Sequence, residues 1–485
     1  MKLLLIHANR FRYKVREKAI PEAERLTDEN RESAVSDALI VFSTVEEGDE
    51  MDPAKVARRA SEEVKDVANK VKTNRVVVYP YAHLSSSLAA PPVAIRILSV
   101  LEDELNSEGF KVVRSPFGWY KSFEISCKGH PLAELSRSVT IEEAKEAPKP
   151  KERKEYVVID KGGVEHPLDV SAVDECEVLK KEELLKEFIL GEELGGVPRE
   201  KPAHIELMKK FELIDYEPAS DVGHFRFYPK GTLMKQLLEA FATDLAVKGL
   251  KCIQVETPLV YRMDLPDIAG QTQRFHERDY RFTINGKKLT LRFAGDFGLF
   301  RMMKDAMVSH KQLPLRVYEL SPSYRLEKRG ECVGLKRLRA FTMPDIHCFC
   351  KDLKQAMEEF KLLLSQYTKL ADSMEVDCVL VFRVLRDFYL RHEGWMKGLV
   401  KMVGRPALIE LMKERKHYWI LKHEYQFVDS VGGSAQLCTI QLDVEDSERY
   451  GIFYVDEEGK KRGYIIVHSS MGSIERWLYA VLEQA

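Results

Sequence analysis

Residues 320–350 read LSPSYRLEKRGECVGLKRLRAFTMPDIHCFC, and the fold turns on them. An extended run leads into a basic loop with two glycines, and the return run carries Asp345 and His347. That pattern predicts two antiparallel strands around a loop that closes over something anionic. Working outward, a second stretch, Tyr464–Glu483, reads YIIVHSSMGSIERWLYAVLE. It predicts a β-rich run to His468, a short turn, and an amphipathic helix opening at Ile474. Arg325 with Glu327 in the first stretch and Arg476 in the second form a candidate two-sided clamp on a nucleotide. The guanidinium is planar, permanently charged and binds phosphate through two parallel hydrogen bonds.

The chain has 485 residues, which by size alone predicts about three domains. A 45% hydrophobic content supplies ample core. With 75 basic against 77 acidic residues the net charge is −2, so nucleic acid has to be met by local basic patches. No apolar run is long enough for a transmembrane helix. The opening MKLLLIHANRF reads as a first β-strand and not a signal peptide, because Asn9, Arg10 and Arg12 follow without a small-residue cleavage site. The eight cysteines form no framework, and Cys348/Cys350 is not a CxxC pair, which predicts reduced thiols in a cytoplasmic protein.

Residues 1–140 read as an α/β unit. LLLIHA, DALIVFSTV and RVVVYPYAHL predict strands, residues 53–72 and 92–105 helices, and FKVVRSPFG with WYKSFEISCKG a strand pair. Two polar clusters stand out, Tyr81-Ala82-His83 before three serines and Tyr120-Lys121, with Glu134 beyond. A histidine, a lysine, a tyrosine and a carboxylate at strand ends have the chemistry to place a water against an ester; Lys121 with Glu134 reads equally as a surface ion pair. Residues 141–156 are a charged linker by composition, and 157–200 a short strand-and-helix insert packing between domains. From 201 the chain reads as one large domain. A helix over 231–246 leads into IQVETPLVY, Asn285-Gly286 marks a hairpin, and helices are expected over 352–372 and 396–415. QLCTIQLDVED is a strand carrying Gln441 and Asp443 towards the pocket.

Tyr-Arg-Leu-Glu at 324–327 resembles motif 2 of class II aminoacyl-tRNA synthetases, and Gly-Ser-Ile-Glu-Arg at 472–476, continuing through Leu482-Glu483, resembles motif 3. FYPKGTLMKQLLEAF from Phe227, with VETPLVY and Pro258, resembles motif 1. RAFTMPDIH and the N-terminal region narrow the resemblance to archaeal-type threonyl-tRNA synthetases, over nearly the whole chain. It implies a multidomain α/β and α+β architecture: an editing domain with the fold of D-aminoacyl-tRNA deacylases, then a class II antiparallel sheet with flanking helices.

The same resemblance implies roles. Lys121 would orient the substrate and stabilise charge, Tyr120 and His83 would hold its end, Glu134 would fix Lys121, and the ribose 2′-hydroxyl would assist hydrolysis. Arg325 would bind the α-phosphate of ATP and the amino-acid carboxylate, Glu327 the adenine amino group or the loop. Phe341 would stack on adenine, Arg476 would reach the γ-phosphate side, and Asp345 and Gln441 would receive the amino acid. Such enzymes hold Zn2+ on a cysteine and two histidines. His347 and His468 match the histidines, and Asp296 stands at the cysteine position; aspartate is a legitimate zinc ligand but a harder one. The implied partners are tRNA(Thr) and a second copy of the chain in a homodimer, with no membrane.

Serine lacks one methyl of threonine, worth about 1–3 kcal/mol, so binding alone cannot reject it and a hydrolytic pocket is needed. The chain ends at Ala485, without the anticodon-binding domain that follows motif 3 in such enzymes. With Asp296 at the metal position, the expectation is an editing protein that hydrolyses Ser-tRNA(Thr) in trans beside a separate catalytic threonyl-tRNA synthetase, with weak or absent aminoacylation. The alternative is a complete threonine–tRNA ligase seen without its anticodon domain.

Overall fold

Strand β1, Lys2–Lys18, is the spine of the first sheet and changes its allegiance half-way. Leu3 and Leu5 face the helices, whereas Phe11, Tyr13 and Val15 face the other side. The switch sits between Ala8 and Arg10, where a bulge adds one residue against the neighbouring strand. The structure is a computed structural model, and it describes all residues except 29, 86, 131, 140–153, 195–200, 275–277 and 329. Most of the predicted linker therefore lies outside the described residues. The chain divides into two compact units, Met1–Glu152 and Arg153–Ala485.

In the first unit β1 is flanked by β2 (Glu32–Thr44), β3 (Arg75–Pro80) and β4 (Lys111–Arg114) on one side, and by β5 (Trp119–Cys127) and β6 (Glu134–Ser138) on the other. Helices α1 (Pro53–Lys70) and α2 (Pro91–Ser107) make the parallel crossovers from β2 to β3 and β3 to β4. Asp52 caps α1, its side chain accepting from the Lys55 N–H, and Pro53 occupies the first helical turn. The expected pairing of 110–118 with 119–129 is not what forms. β4 arrives through α2 and lies parallel to β3, while β5 crosses to the far edge and runs antiparallel to β1.

The second unit is built on the predicted hairpin. Strands Leu315–Tyr324 and Ala340–Cys350 pair antiparallel from Leu315 opposite Phe349 to Tyr324 opposite Ala340. Ile465–Ser470 lies beside the second of these, with His468 opposite His347, and Ser434–Asp443 follows, with Gln441 opposite His468. Three residues remote in sequence thus stand in one row across three strands. The ten-stranded sheet continues through Trp419–Val428, Val379–Leu385 and Ala407–Met412 to β7 (Glu155–Ile159) and β8 (Glu165–Leu168).

Helices Leu353–Ser373, Arg386–Val403 and Ile474–Gln484 contribute Phe360, Leu399 and Leu478 to one core with this sheet. The helix expected over 396–415 in fact starts at Arg386 and stops at Gly404, whose φ of 72° makes a left-handed C-cap. Ala407–Met412 is a strand in the sheet. The Asn285-Gly286 turn forms as predicted, both residues at positive φ, between Arg281–Ile284 and Lys287–Leu291. No helix of the described residues is long and apolar enough to cross a membrane, and the eight cysteines are free thiols.

Candidate functional site

The row of His347, His468 and Gln441 forms part of the wall of a cavity of about 1010 Å³, which Asp296, Arg325 and Asp345 also line. Asp296 comes from the first turn of the helix Asp296–Asp305 and meets His347 Nε2 at 3.2 Å. The two imidazoles sit 5.0 Å apart, edge to face, with Phe300 packed against both. Burial opposes charge on Asp296, but the bond from His347 and the positive groups nearby prevail and hold its carboxyl down to about 2. Asp345 goes the opposite way: burial and the Asp296 charge push it well above the usual carboxylate range, against a bond from Ser470.

A metal ion was implied for these residues, and the geometry fits one. Ligand atoms of Asp296, His347 and His468 lie within 4.8 Å of one another. His468 Nε2 is 2.7 Å from Asp443 Oδ2, and its Nδ1 is buried with no hydrogen-bond partner among the described residues. A histidine held by a carboxylate at one nitrogen, with the other left bare, is the usual arrangement of a metal ligand. Asp443 is itself fixed by the backbone N–H groups of Glu445 and Asp446 at 2.7 and 3.0 Å. Two imidazoles and a carboxylate make a donor set that suits zinc.

The residues expected to clamp a nucleotide lie at and beside this cavity. Arg325 is half-buried, donates from Nε to the Phe293 carbonyl at 3.1 Å, and lies over the Phe341 ring at 5.1 Å. Arg476 donates to the carbonyls of Lys336 and Gln436 at 3.1 and 2.8 Å, and burial together with Arg325 brings its guanidinium down to about 10. Glu327 faces Arg337 and Arg278, at 2.8 and 3.3 Å, which ties it to its own loop. Glu327, Phe341 and Arg476 stand near Arg325 but do not line the cavity. Sequence reasoning missed Tyr418, which lines the cavity, donates its hydroxyl to Gln441, and is kept neutral by burial and the Asp296 charge.

In the first unit Lys121 leaves β5 on the face it shares with Phe123. Its Nζ donates to the Pro116 carbonyl at 2.6 Å and lies 4.8 Å from the Tyr79 ring centre. Burial, aided by the charge of Arg114 and opposed by Glu24, lowers its ammonium to about 8. From Tyr79 the rings of Tyr81 and His83 follow at 6.5 and 5.1 Å, so an aromatic path links Lys121 to His83. Tyr120 does not join them: alternation along β5 turns it to the opposite face, where it is 60% exposed. Nor does Glu134 fix Lys121. Glu134 lies opposite Ile6 and Lys121 opposite Val15, about 30 Å apart along β1. The Glu134 carboxylate instead accepts from the Cys127 thiol at 3.3 Å.

Residues 1–139 match the archaea-specific editing domain of threonyl-tRNA synthetase, and residues 280–485 the class II tRNA synthetase core domain shared by the glycine, histidine, proline, serine and threonine enzymes. Among curated proteins, the threonine–tRNA ligase of Thermococcus gammatolerans is 44% identical over 505 residues, spanning all of this chain and 79% of its own length. That of Methanopyrus kandleri is 42% identical over 491 residues, covering 77% of its length. A crystal structure described as the RNA binding domain of threonyl-tRNA synthetase from Cryptosporidium parvum shares the fold with a TM-score of 0.52 at 23% identity, over 58% of this chain and 72% of that one.

Proposed function

The chain belongs to the threonyl-tRNA synthetase family, and on that premise we propose that it is a threonine–tRNA ligase that carries its own proofreading unit. The class II unit would activate threonine with ATP and charge tRNA(Thr), and the N-terminal unit would hydrolyse Ser-tRNA(Thr). The observation that carries this reading is the convergence of Asp296, His347, His468, Gln441 and Asp345 on the cavity that also holds Arg325. Zinc, when bound by Asp296, His347 and His468, supplies a Lewis acid for the hydroxyl and amino groups of threonine. Asp345 and the Tyr418–Gln441 pair receive the polar end of the amino acid, and Arg325 bridges its carboxylate to the α-phosphate. A pocket that reads a hydroxyl rejects valine and admits serine, which is why the N-terminal editing unit is needed. There Lys121 stabilises the charge that develops on the ester carbonyl, with the aromatic path to His83 as the pocket floor.

The unit would act as a homodimer. Leu233, Leu237 and Phe241 recur on one face of the helix Pro229–Asp244 and are 57%, 61% and 45% exposed. That apolar stripe is what a second copy would cover.

The carboxylate of Asp296 favours a second reading, in which editing proceeds in trans and a separate synthetase performs the charging. Threonine-dependent ATP–pyrophosphate exchange and charging of tRNA(Thr), measured beside Ser-tRNA(Thr) hydrolysis, decide between them. Charging supports the ligase. Hydrolysis without exchange or charging transfers the conclusion to the editing protein, and loss of both activities overturns each reading.

A further inference from the structure

Glu483, at the end of the motif 3 stretch, has no part in the site as described, yet it anchors a wholly buried histidine. His204 lies at the start of the helix His204–Lys210, with its backbone N–H 2.7 Å and its Nδ1 2.6 Å from Glu483 Oε1. Its Nε2 is 3.1 Å from the N–H of Leu335, in the loop that joins the two central hairpin strands. An amide N–H only donates, so Nε2 holds the lone pair and Nδ1 the proton, and both nitrogens of the buried ring are satisfied. The second Glu483 oxygen accepts from the N–H and hydroxyl of Ser430 at 3.2 and 2.7 Å.

The loop is shaped to this ring. Gly334 has a φ of 45°, and a Cβ there would collide with His204 Nε2 and with Ile205. The next residues reach the nucleotide clamp. The Lys336 carbonyl accepts from Arg476 Nε at 3.1 Å, Lys336 Nζ meets Asp429 at 2.8 Å, and Arg337 meets Glu327 at 2.8 Å. Tyr479 closes the circuit, its ring against His204 at 4.8 Å and its hydroxyl on Asp429 at 3.1 Å.

We propose that His204 is a positioning residue for the nucleotide site, bridging Glu483 to Leu335 so that Lys336 and Arg337 stand where they hold Arg476 and Glu327. The proposal rests on the reading of that site as an ATP site. Without the ring, the Leu335 N–H is buried with no acceptor and the loop base has to move to water.

The test uses the full chain with Mg·ATP. Its dissociation constant is measured by calorimetry, and amide hydrogen exchange is followed over residues 330–339. His204→Ala, and His204→Asn, which keeps only a donor towards Glu483, should weaken ATP about tenfold and expose the Leu335 amide. His204→Gln places an amide oxygen near the Nε2 position and should restore both. Gly334→Ala, which disturbs the same contact from the loop side, should behave like His204→Ala. Equal ATP affinity in His204→Ala and the unmodified chain overturns the proposal, as does an equal loss in the glutamine and alanine variants. Unchanged Leu335 exchange in His204→Ala shows that the latch does not exist. Absence of ATP binding by the unmodified chain overturns the nucleotide-site reading itself, and the proposal with it.

Discussion

Lys121→Met is the most informative single change, because it should move activity and stability in opposite directions. The ammonium is partly buried over the Tyr79 ring and lowered from 10.5 to about 8, mainly by burial. That depression corresponds to a folding cost of at most about 3 kcal/mol at neutral pH. Methionine fills similar space without charge but leaves the Pro116 carbonyl unpaired, a loss of about 1 kcal/mol. The first unit should therefore gain about 1–2 kcal/mol at pH 7, while Ser-tRNA(Thr) hydrolysis falls by about 100-fold or more through loss of transition-state charge stabilisation. The sign of the pH dependence follows from proton binding. Between about pH 8 and 10.5 the unfolded chain holds the Lys121 proton and the folded chain does not, so the unmodified protein gains stability as pH rises through that window. The advantage of the variant should shrink to nothing over the same range. Hydrogen exchange of the β1 and β2 amides at pH 7 and pH 10 reads the stability, and single-turnover hydrolysis reads the activity. A variant that hydrolyses at the full rate, or a stability gain equal at both pH values, would refute the reasoning.

Three further outcomes are expected. Asp296→Cys should retain zinc through dialysis better than the unmodified chain and raise threonine-dependent pyrophosphate exchange; equal metal content in the two proteins would remove the carboxylate as the weak ligand. Asp443→Asn, which keeps the shape but not the charge that orients His468, should lower zinc affinity about 10–100-fold in competition with a chelator. Leu237→Asp on the exposed stripe of the helix Pro229–Asp244 should turn a dimer into a monomer in sedimentation velocity, and an unchanged sedimentation coefficient would place the dimer contact elsewhere.

The central hairpin and the closing helix were legible because their signals are local: extended runs on both sides of a basic loop, and a short turn before an amphipathic run opening at Ile474. The expected run of helix from 404 to 415 had its correction in plain view. Gly404 and Pro406 punctuate the run, and the residues after them are Ala, Leu and Ile in a strand-length stretch. Period-two alternation likewise separates Tyr120 from Lys121, since neighbours on a strand face opposite ways. Other features had no local trace. That Lys121 and Glu134 stand far apart along β1 depends on which strands pair, and Tyr418 meets Gln441 only because two strands run side by side. His204 and Glu483 are 279 residues apart and meet only in the folded chain.

The irregularity between Ala8 and Arg10 reaches further than one bond. It reverses the parity of β1, so that even-numbered residues before it and odd-numbered residues after it look onto the same aromatic floor. Position 37 on β2 makes the matching adjustment with Asp37 at a φ of 51°. The floor beneath Lys121 is thus set by counting as much as by chemistry. A substitution at Asn9 leaves the count intact, but deleting Arg12, with the irregularity kept, would turn Tyr13 and Val15 outward and bring Lys14 to the floor. Divergence in this strand is free to rewrite letters and barred from changing their number.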